Sequence, residues 1–363
     1  MAKNFLCLCG KILGKIVEKI KVGILGATGM VGQYLVSLLA KHQWFELTDL
    51  VASSKNVGKK YCDVIQHKWI LSDGLPDIVK NIRIKSTTDR LTSKLLFSSL
   101  DSSIAGDVEE HYAEQGHLIC SNAKNHRLRN DVPLIIPEIN PEHLSLIKKQ
   151  HYKGAIITNP NCSTIGLALA LAPIHFKFEI RKVIVMTMQA ISGAGIDGVS
   201  AMQIIDNIIP YISGEEEKIE AETVKVLAKM TNSGLEYPNM KISAQCNRVP
   251  VRNGHLESVY IELAKKPNLD EIIKCWKEFN PLKDYQLLSA PNPPIKYFYN
   301  NYRPQPNRDR NLGKGMTVSI GHLKKSNVLD YSFIVLSHNV IRGAAGAAVL
   351  NGELLVKKAI IEN

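Results

Sequence analysis

No run of apolar residues in this chain approaches the roughly 20 that a membrane-crossing helix needs, so no spanning segment is expected. Paired cysteines are also missing. The seven cysteines, at positions 7, 9, 62, 120, 162, 246 and 275, form no C-x-x-C pair and match no histidine spacing. That argues against a disulfide framework and a zinc site, and for a reducing compartment; no metal is expected, and the location expected is cytoplasmic. Lysine and arginine exceed aspartate and glutamate by 11, yet no basic stripe interleaved with aromatics appears. The excess therefore reads as solvated surface, compatible with anionic small molecules, and nucleic acid is not an expected partner. Internal repeats and low-complexity tracts are lacking too.

What is present suits two domains: 363 residues, 45% of them hydrophobic and 22% charged. Residues 1–20 read as an N-terminal extension, basic, with Phe5, Leu8, Ile12, Ile16 and Ile20 at the spacing of a short amphipathic helix. Organellar targeting is the weaker reading, because arginine, serine and a small-residue cleavage site are missing.

From residue 21 the pattern alternates. Lys21 to Gly26 reads as a strand and Val31 to Ala40 as a helix, and Gly26-Ala27-Thr28-Gly29-Met30-Val31-Gly32 joins them. A strand, a glycine-rich turn and a helix in that order can seat a pyrophosphate on the helix N-terminus. The spacing is G-x-x-G-x-x-G, and a tight turn without ligand is the competing reading. The next strand, Leu47 to Ala52, runs into Ser53-Ser54-Lys55 where an NAD enzyme tends to carry an acid. Two hydroxyls and a cation suit a 2′-phosphate, so NADP is the expected cofactor; Asp49 lies mid-strand and is expected to point elsewhere. Lys94–Ser98 and His117–Cys120 read as strands around a helix near Ile104–Gln115, the rhythm of a Rossmann-type, doubly wound parallel sheet.

Cys162, in Asn159-Pro160-Asn161-Cys162-Ser163-Thr164, falls between a strand (Gly154–Asn159) and an apolar helix (Ile165–Ala172) that Pro173 is expected to close. A helix start favours thiolate, the nucleophilic form; a buried, inert cysteine is the alternative. Beyond it, Lys182–Gln189, Glu257–Leu263, Met316–Ile320 and Val328–Leu336 read as strands of an α+β catalytic domain with a mixed, largely antiparallel sheet. Pro291 to Pro306 reads as an ordered loop, and Gly343 to Ile360 as one long helix rich in small residues. The expected division is 21–157 plus 340–363 for the nucleotide-binding domain and 158–339 for the catalytic and dimerisation domain.

Among eleven histidines, His255 stands out because Arg248-Val-Pro-Val-Arg-Asn-Gly-His255 leads into a strand. Its imidazole suits proton transfer near neutral pH, and Arg248 could clamp a carboxylate through paired donors. His338 is a further candidate. Arg127, after the Cys120 strand, suits a phosphate, and Gln189, with the Ser192-Gly193 loop, brings an amide toward the same region.

Together these segments resemble aspartate-semialdehyde dehydrogenases, specifically their archaeal and fungal branch, from about Lys21 to the C-terminus. The motifs are G-A-T-G-M-V-G at 26–32, S-N-A at 121–123, D-V-P-L-I-I-P-E-I-N-P at 131–141, N-P-N-C-S-T at 159–164, Q-A-I-S-G-A-G at 189–195, G-E-E-E-K at 214–218, R-V-P-V-x-x-G-H at 248–255 and H-N-V-I-R-G-A-A-G at 338–346. The resemblance implies NADPH-dependent reductive dephosphorylation of β-aspartyl phosphate to aspartate semialdehyde, with release of phosphate, in the aspartate pathway to lysine, threonine and methionine. It implies Cys162 as nucleophile and His255 as acid/base. Arg248 would hold the substrate's carboxylate and amino end, near Glu215 and Lys218; Arg127 and Lys218 would face the phosphate, and Gln189 would orient the substrate. Gly26, Ala27, Thr28, Gly29, Met30, Val31, Ser53, Ser54, Lys55, Ser192, Gly193 and Asn339 would hold NADP. A homodimer or homotetramer is implied. An exposed helix-surface ion pair is the competing reading of Glu215 and Lys218. Malonyl-CoA reductase and N-acetyl-γ-glutamyl-phosphate reductase are the rival enzymes. His322 departs from the pattern, standing where arginine is expected.

Overall fold

The computed structural model describes residues 18–361. The expected amphipathic helix of the first twenty residues lies almost wholly outside them; its last member, Ile20, opens a strand instead.

Six short strands form the first sheet: β1 (Ile20–Leu25), β2 (Phe45–Val51), β3 (Ile84–Lys85), β4 (Leu95–Ser98), β5 (Leu118–Ser121) and β6 (Ala155–Thr158). Every pairing is parallel, in the order β3-β2-β1-β4-β5-β6. β4 and β6 are buried along their whole length, as strands covered by helices on both faces must be. The helices Met30–Ala40 and Ser102–Glu114 fill the crossovers, and Gly346–Lys357 packs onto the same core from the far end of the chain. Gly26 takes φ 83, and a Cβ on Gly32 would stand 2.2 Å from the Gly26 carbonyl oxygen. Only glycine at both positions lets strand and helix meet this closely.

The second sheet holds β7 (Ile180–Ala190), β10 (Lys241–Val249), β11 (His255–Leu263), β12 (Ile295–Phe298), β13 (Val318–Lys325) and β14 (Tyr331–Ser337), in the order β10-β7-β11-β14-β13-β12, with a small hairpin of β8 (Lys229–Thr231) and β9 (Gly234–Glu236) apart from it. Its central pairings, β7 with β11, β11 with β14 and β14 with β13, are antiparallel; its two edge pairings are parallel. The mixed, largely antiparallel sheet is as expected. β12 lies inside the proline-rich stretch expected to be loop, where pairing with β13 outweighs its flanking prolines. His322, at φ 53, sits exposed at the β13–β14 register shift, away from the cysteine.

Two helices differ from expectation. The Cys162 helix does not stop at Pro173 but runs to Phe178. Every residue from Ser163 to Ile174 is buried against the second sheet, and that packing outweighs a lost hydrogen bond worth about 3 kcal/mol. The glycine- and alanine-rich C-terminal segment opens with a π-turn, Ile341–Ala345, before the regular helix begins. A Cβ on Gly343 would lie 2.6 Å from the Cys162 Cβ, so its smallness lets this turn press against the cysteine.

Candidate active site

Asn161 caps the Cys162 helix by accepting the Ser163 N–H at 2.9 Å, which fixes the turn carrying the thiol. The cysteine is half-buried on a cavity of about 220 Å³ that Met30, Val31, Asn122, Arg127, Ser192, Gly193 and Asn339 also line. The glycine turn of the first sheet and the thiol of the second unit thus open onto one space.

His255, at the start of β11, brings Nε2 to 3.2 Å from the Cys162 sulfur. Its other nitrogen, Nδ1, accepts the Ala190 N–H at 3.0 Å. A ring nitrogen that accepts carries no proton, so the neutral ring holds its proton on Nε2, facing sulfur. Burial, with Arg248 and His338 nearby, holds the imidazole well below its usual pKa, so the neutral form prevails. Moving the proton to Nδ1 would orphan a buried amide, at about 1–3 kcal/mol. The ring is therefore set as a donor to sulfur, not as an acceptor of the thiol proton.

Burial, followed by the nearby Glu215 carboxylate, pushes the Cys162 thiol up to about 12; Arg127, Arg248 and the helix-start amide act the other way but do not win. Burial and Glu215 thus oppose the thiolate that the helix start favours. Desolvation exceeds the dipole effect of about 0.3–1 kcal/mol.

The remaining expected residues fall into two groups. Arg127, Gln189, Glu215, Lys218 and Arg248 gather around the thiol. Arg127 donates to Glu222 at 2.9 Å and to the Asn122 carbonyl at 2.6 Å, while its buried Nε–H has no protein acceptor. Arg248 donates to the Ala190 carbonyl at 2.8 Å, and a Cβ on Gly193 would come within 2.7 Å of its guanidinium. Glu215 is buried rather than a surface partner. One oxygen accepts Lys218 at 2.7 Å, and the other accepts Asn161 at 2.9 Å and Gln189 at 3.4 Å. Burial works against its charge, but Lys218, Asn161 and Gln189 together hold it below the usual carboxylate range.

Around the cofactor-like turn, Asn339 accepts the Gly254 N–H and donates to Ser192, both at 2.8 Å, tying the His255 loop to the Ser192 turn. Ser53, Ser54 and Lys55 stand exposed at the carboxyl end of β2, apart from the thiol. Asp49 is consumed elsewhere, as expected. It is buried and bound by Lys85 at 2.7 Å and by the Thr92 and Ser93 amides at 2.9 Å. No acid is then left at the carboxyl end of β2 to take a ribose hydroxyl, and the residues present there, Ser53, Ser54 and Lys55, fit a 2′-phosphorylated nucleotide.

Two family models match the sequence: the semialdehyde dehydrogenase NAD binding domain over residues 21–147, and the semialdehyde dehydrogenase dimerisation domain over residues 171–342. The aspartate-semialdehyde dehydrogenase of Archaeoglobus fulgidus is 44% identical over 345 residues, covering 94% of this chain and 99% of the relative. That of Candida albicans is 42% identical over 94% of this chain and 99% of its own. The chain belongs to the aspartate-semialdehyde dehydrogenase family. A crystal structure of the Candida albicans enzyme with NADP superposes with TM-score 0.87 at 41% identity, covering 95% of this chain and all of that one. Aspartate semialdehyde dehydrogenase II of Vibrio cholerae gives TM-score 0.76 at 26% identity, over 93% of this chain and 99% of that one. These relatives favour the family reading over malonyl-CoA reductase and N-acetyl-γ-glutamyl-phosphate reductase.

Sequence reasoning missed Glu222 and the Ala190 amide. Glu222 joins Arg127 to the Asn161 N–H, which it accepts at 2.5 Å. Its signal was the i, i+3, i+7 spacing of Glu215, Lys218 and Glu222, which puts all three on one helix face. A backbone donor such as Ala190 leaves no such trace.

Proposed function

We propose that this chain is an NADP-dependent aspartate-semialdehyde dehydrogenase, converting β-aspartyl phosphate to aspartate semialdehyde and phosphate with Cys162 as nucleophile. The observation that carries the reading is the 3.2 Å approach of Nε2–H to sulfur in a cavity shared with the glycine turn. Gly26 to Val31 with Ser53, Ser54 and Lys55 would hold the cofactor, and Ser192, Gly193 and Asn339 would border its nicotinamide. Bound NADPH supplies one hydride to the acyl carbon.

The chain's own residues do the rest. The Cys162 sulfur bonds to the acyl carbon as the carbon–phosphate oxygen bond breaks, and the thiol proton leaves with phosphate. The resulting thioester keeps the acyl group at the start of the Cys162 helix, whose positive dipole end favours oxyanion charge. After reduction the carbon–sulfur bond breaks, the aldehyde departs, and His255 Nε2–H stabilises the thiolate released. Arg127, which lines the cavity, faces the phosphate; Arg248 takes the substrate carboxylate. Gln189 orients the substrate, and Glu215 with Lys218 holds Asn161 and Gln189 in place for that task.

The proposal extends to a homodimer or homotetramer acting in the cytoplasm. Ile184 and Met186, 47% and 45% exposed on the outer face of β7, offer an apolar surface for a second copy. The described cysteines are free, as in a reducing compartment. An assay of NADP reduction with aspartate semialdehyde and phosphate tests the activity. Phosphate-dependent reduction is the expected result; activity with malonyl-CoA instead, or none with either, would overturn it.

A further inference from the structure

A cavity of about 400 Å³ lies against the flank of the Met30–Ala40 helix, bordered by Tyr34, Ser37, Arg252, Arg310 and His338. Its size is ordinary for a small-molecule site. Ser37 is seven residues past Met30, so this wall stands about 10 Å along the helix from the glycine turn. The Cys162 cavity shares none of these five residues.

The wall is unusual in its charge. Among the described residues, neither Arg252 nor Arg310 has a carboxylate partner; Arg310 donates only to the Asn253 carbonyl, at 3.4 Å. Asp73, on the rim, is exposed and pairs with neither. His338 adds a second, independent sign. It is 3% exposed, and its Nδ1 accepts the Val340 and Ile341 amides at 3.3 and 3.2 Å. Its proton therefore sits on Nε2, which has no protein acceptor. Burial, with Arg310 nearby, takes the imidazole down to about 4, so the ring stays a neutral donor at physiological pH. His338 lines the cavity, so this donor is open to an acceptor held there.

We propose that this cavity is a second ligand site, taking a small dianion between the Arg252 and Arg310 guanidiniums with the His338 Nε2–H as a further donor. Two guanidiniums match paired oxygens on carboxylates or phosphates. Arg252 belongs to the segment joining Arg248 to His255, and His338 precedes Asn339, so an occupant touches both loops that frame the thiol.

Calorimetric titration of the full chain with succinate and, separately, with inorganic pyrophosphate tests the site. One equivalent of at least one probe should bind, weakening tenfold or more in both Arg310→Gln and Arg252→Gln. Binding of succinate alone identifies a dicarboxylate site, and of pyrophosphate alone a phosphoryl site; either supports the proposal. Arg252 is exposed, so its variant keeps the test alive if Arg310→Gln does not fold. Binding that survives both substitutions, binding abolished by Arg127→Gln instead, or no binding of either probe would overturn it.

Discussion

The glycine turn at 26–32 and the Cys162 centre share a cavity but are built in opposite ways. The turn is one contiguous stretch whose backbone does the work, and its requirements are local: a positive φ at Gly26 and no side chain at Gly32. The thiol centre draws Asn161, His255, Arg248, Arg127 and the helix carrying Glu215 and Glu222 from separate segments; Asn161 binds both glutamates, Arg127 binds Glu222, and His255 meets the thiol. A local site tolerates change elsewhere in the chain. An assembled one passes each loss to its neighbours.

Substitutions can break or sharpen that contrast. Cys162→Ser should cut turnover on the order of 10³-fold or more while leaving the NADPH dissociation constant within about twofold. Steady-state rates and fluorescence titration check both halves, and retained turnover would remove the nucleophile. Glu222→Ala strips Arg127 of its buried partner and Asn161 of an acceptor. Losing one member of a buried pair should lower stability by about 3–5 kcal/mol, read from the urea midpoint. An unchanged midpoint would mean that the thiol centre is less interlocked than its contacts suggest.

Acid should also strike the assembled side. His143, which bridges Asn140 and the Ala228 carbonyl, and His338 are both taken down to about 4 by burial. Each is neutral when folded and protonates more readily when unfolded, near the ordinary value of about 6.5. Their contribution is therefore fully present above pH about 6.5 and is lost as pH falls to about 4, on the order of 3 kcal/mol each. Denaturant midpoints measured across that window, with His143→Gln as comparison, should show a shallower fall in the variant; parallel curves would refute the assignment. Smallest in effect, Lys55→Ala should raise the NADPH dissociation constant about tenfold and leave that of NADH unchanged. Equal effects on both cofactors would show that Lys55 does not read the 2′-phosphate.

Legibility followed the same division. The parallel sheet, the glycine turn and the position of Cys162 at a helix start could all be read from patterns within a few tens of residues. Pro173 misled because a helix buried from Ser163 to Ile174 has packing that no local propensity records. What opposes the thiolate was hidden for a related reason. A helix dipole is visible in sequence, whereas desolvation and the approach of Glu215, fifty-three positions away, are not. Glu222 was readable only as a face-mate of Glu215 and Lys218, and the buried environment of Glu215 was not readable at all.

By itself, the sequence determined the elements, the glycine turn, the chemical types at the centre and the family. Alternation, glycine spacing and short motifs act over distances that chain geometry fixes. Tertiary structure alone decided which histidine nitrogen bears the proton, that burial and Glu215 oppose the Cys162 thiolate, and that Arg252, Arg310 and His338 face one cavity. Those outcomes depend on burial and on partners brought together from far along the chain, and both exist only once it has folded.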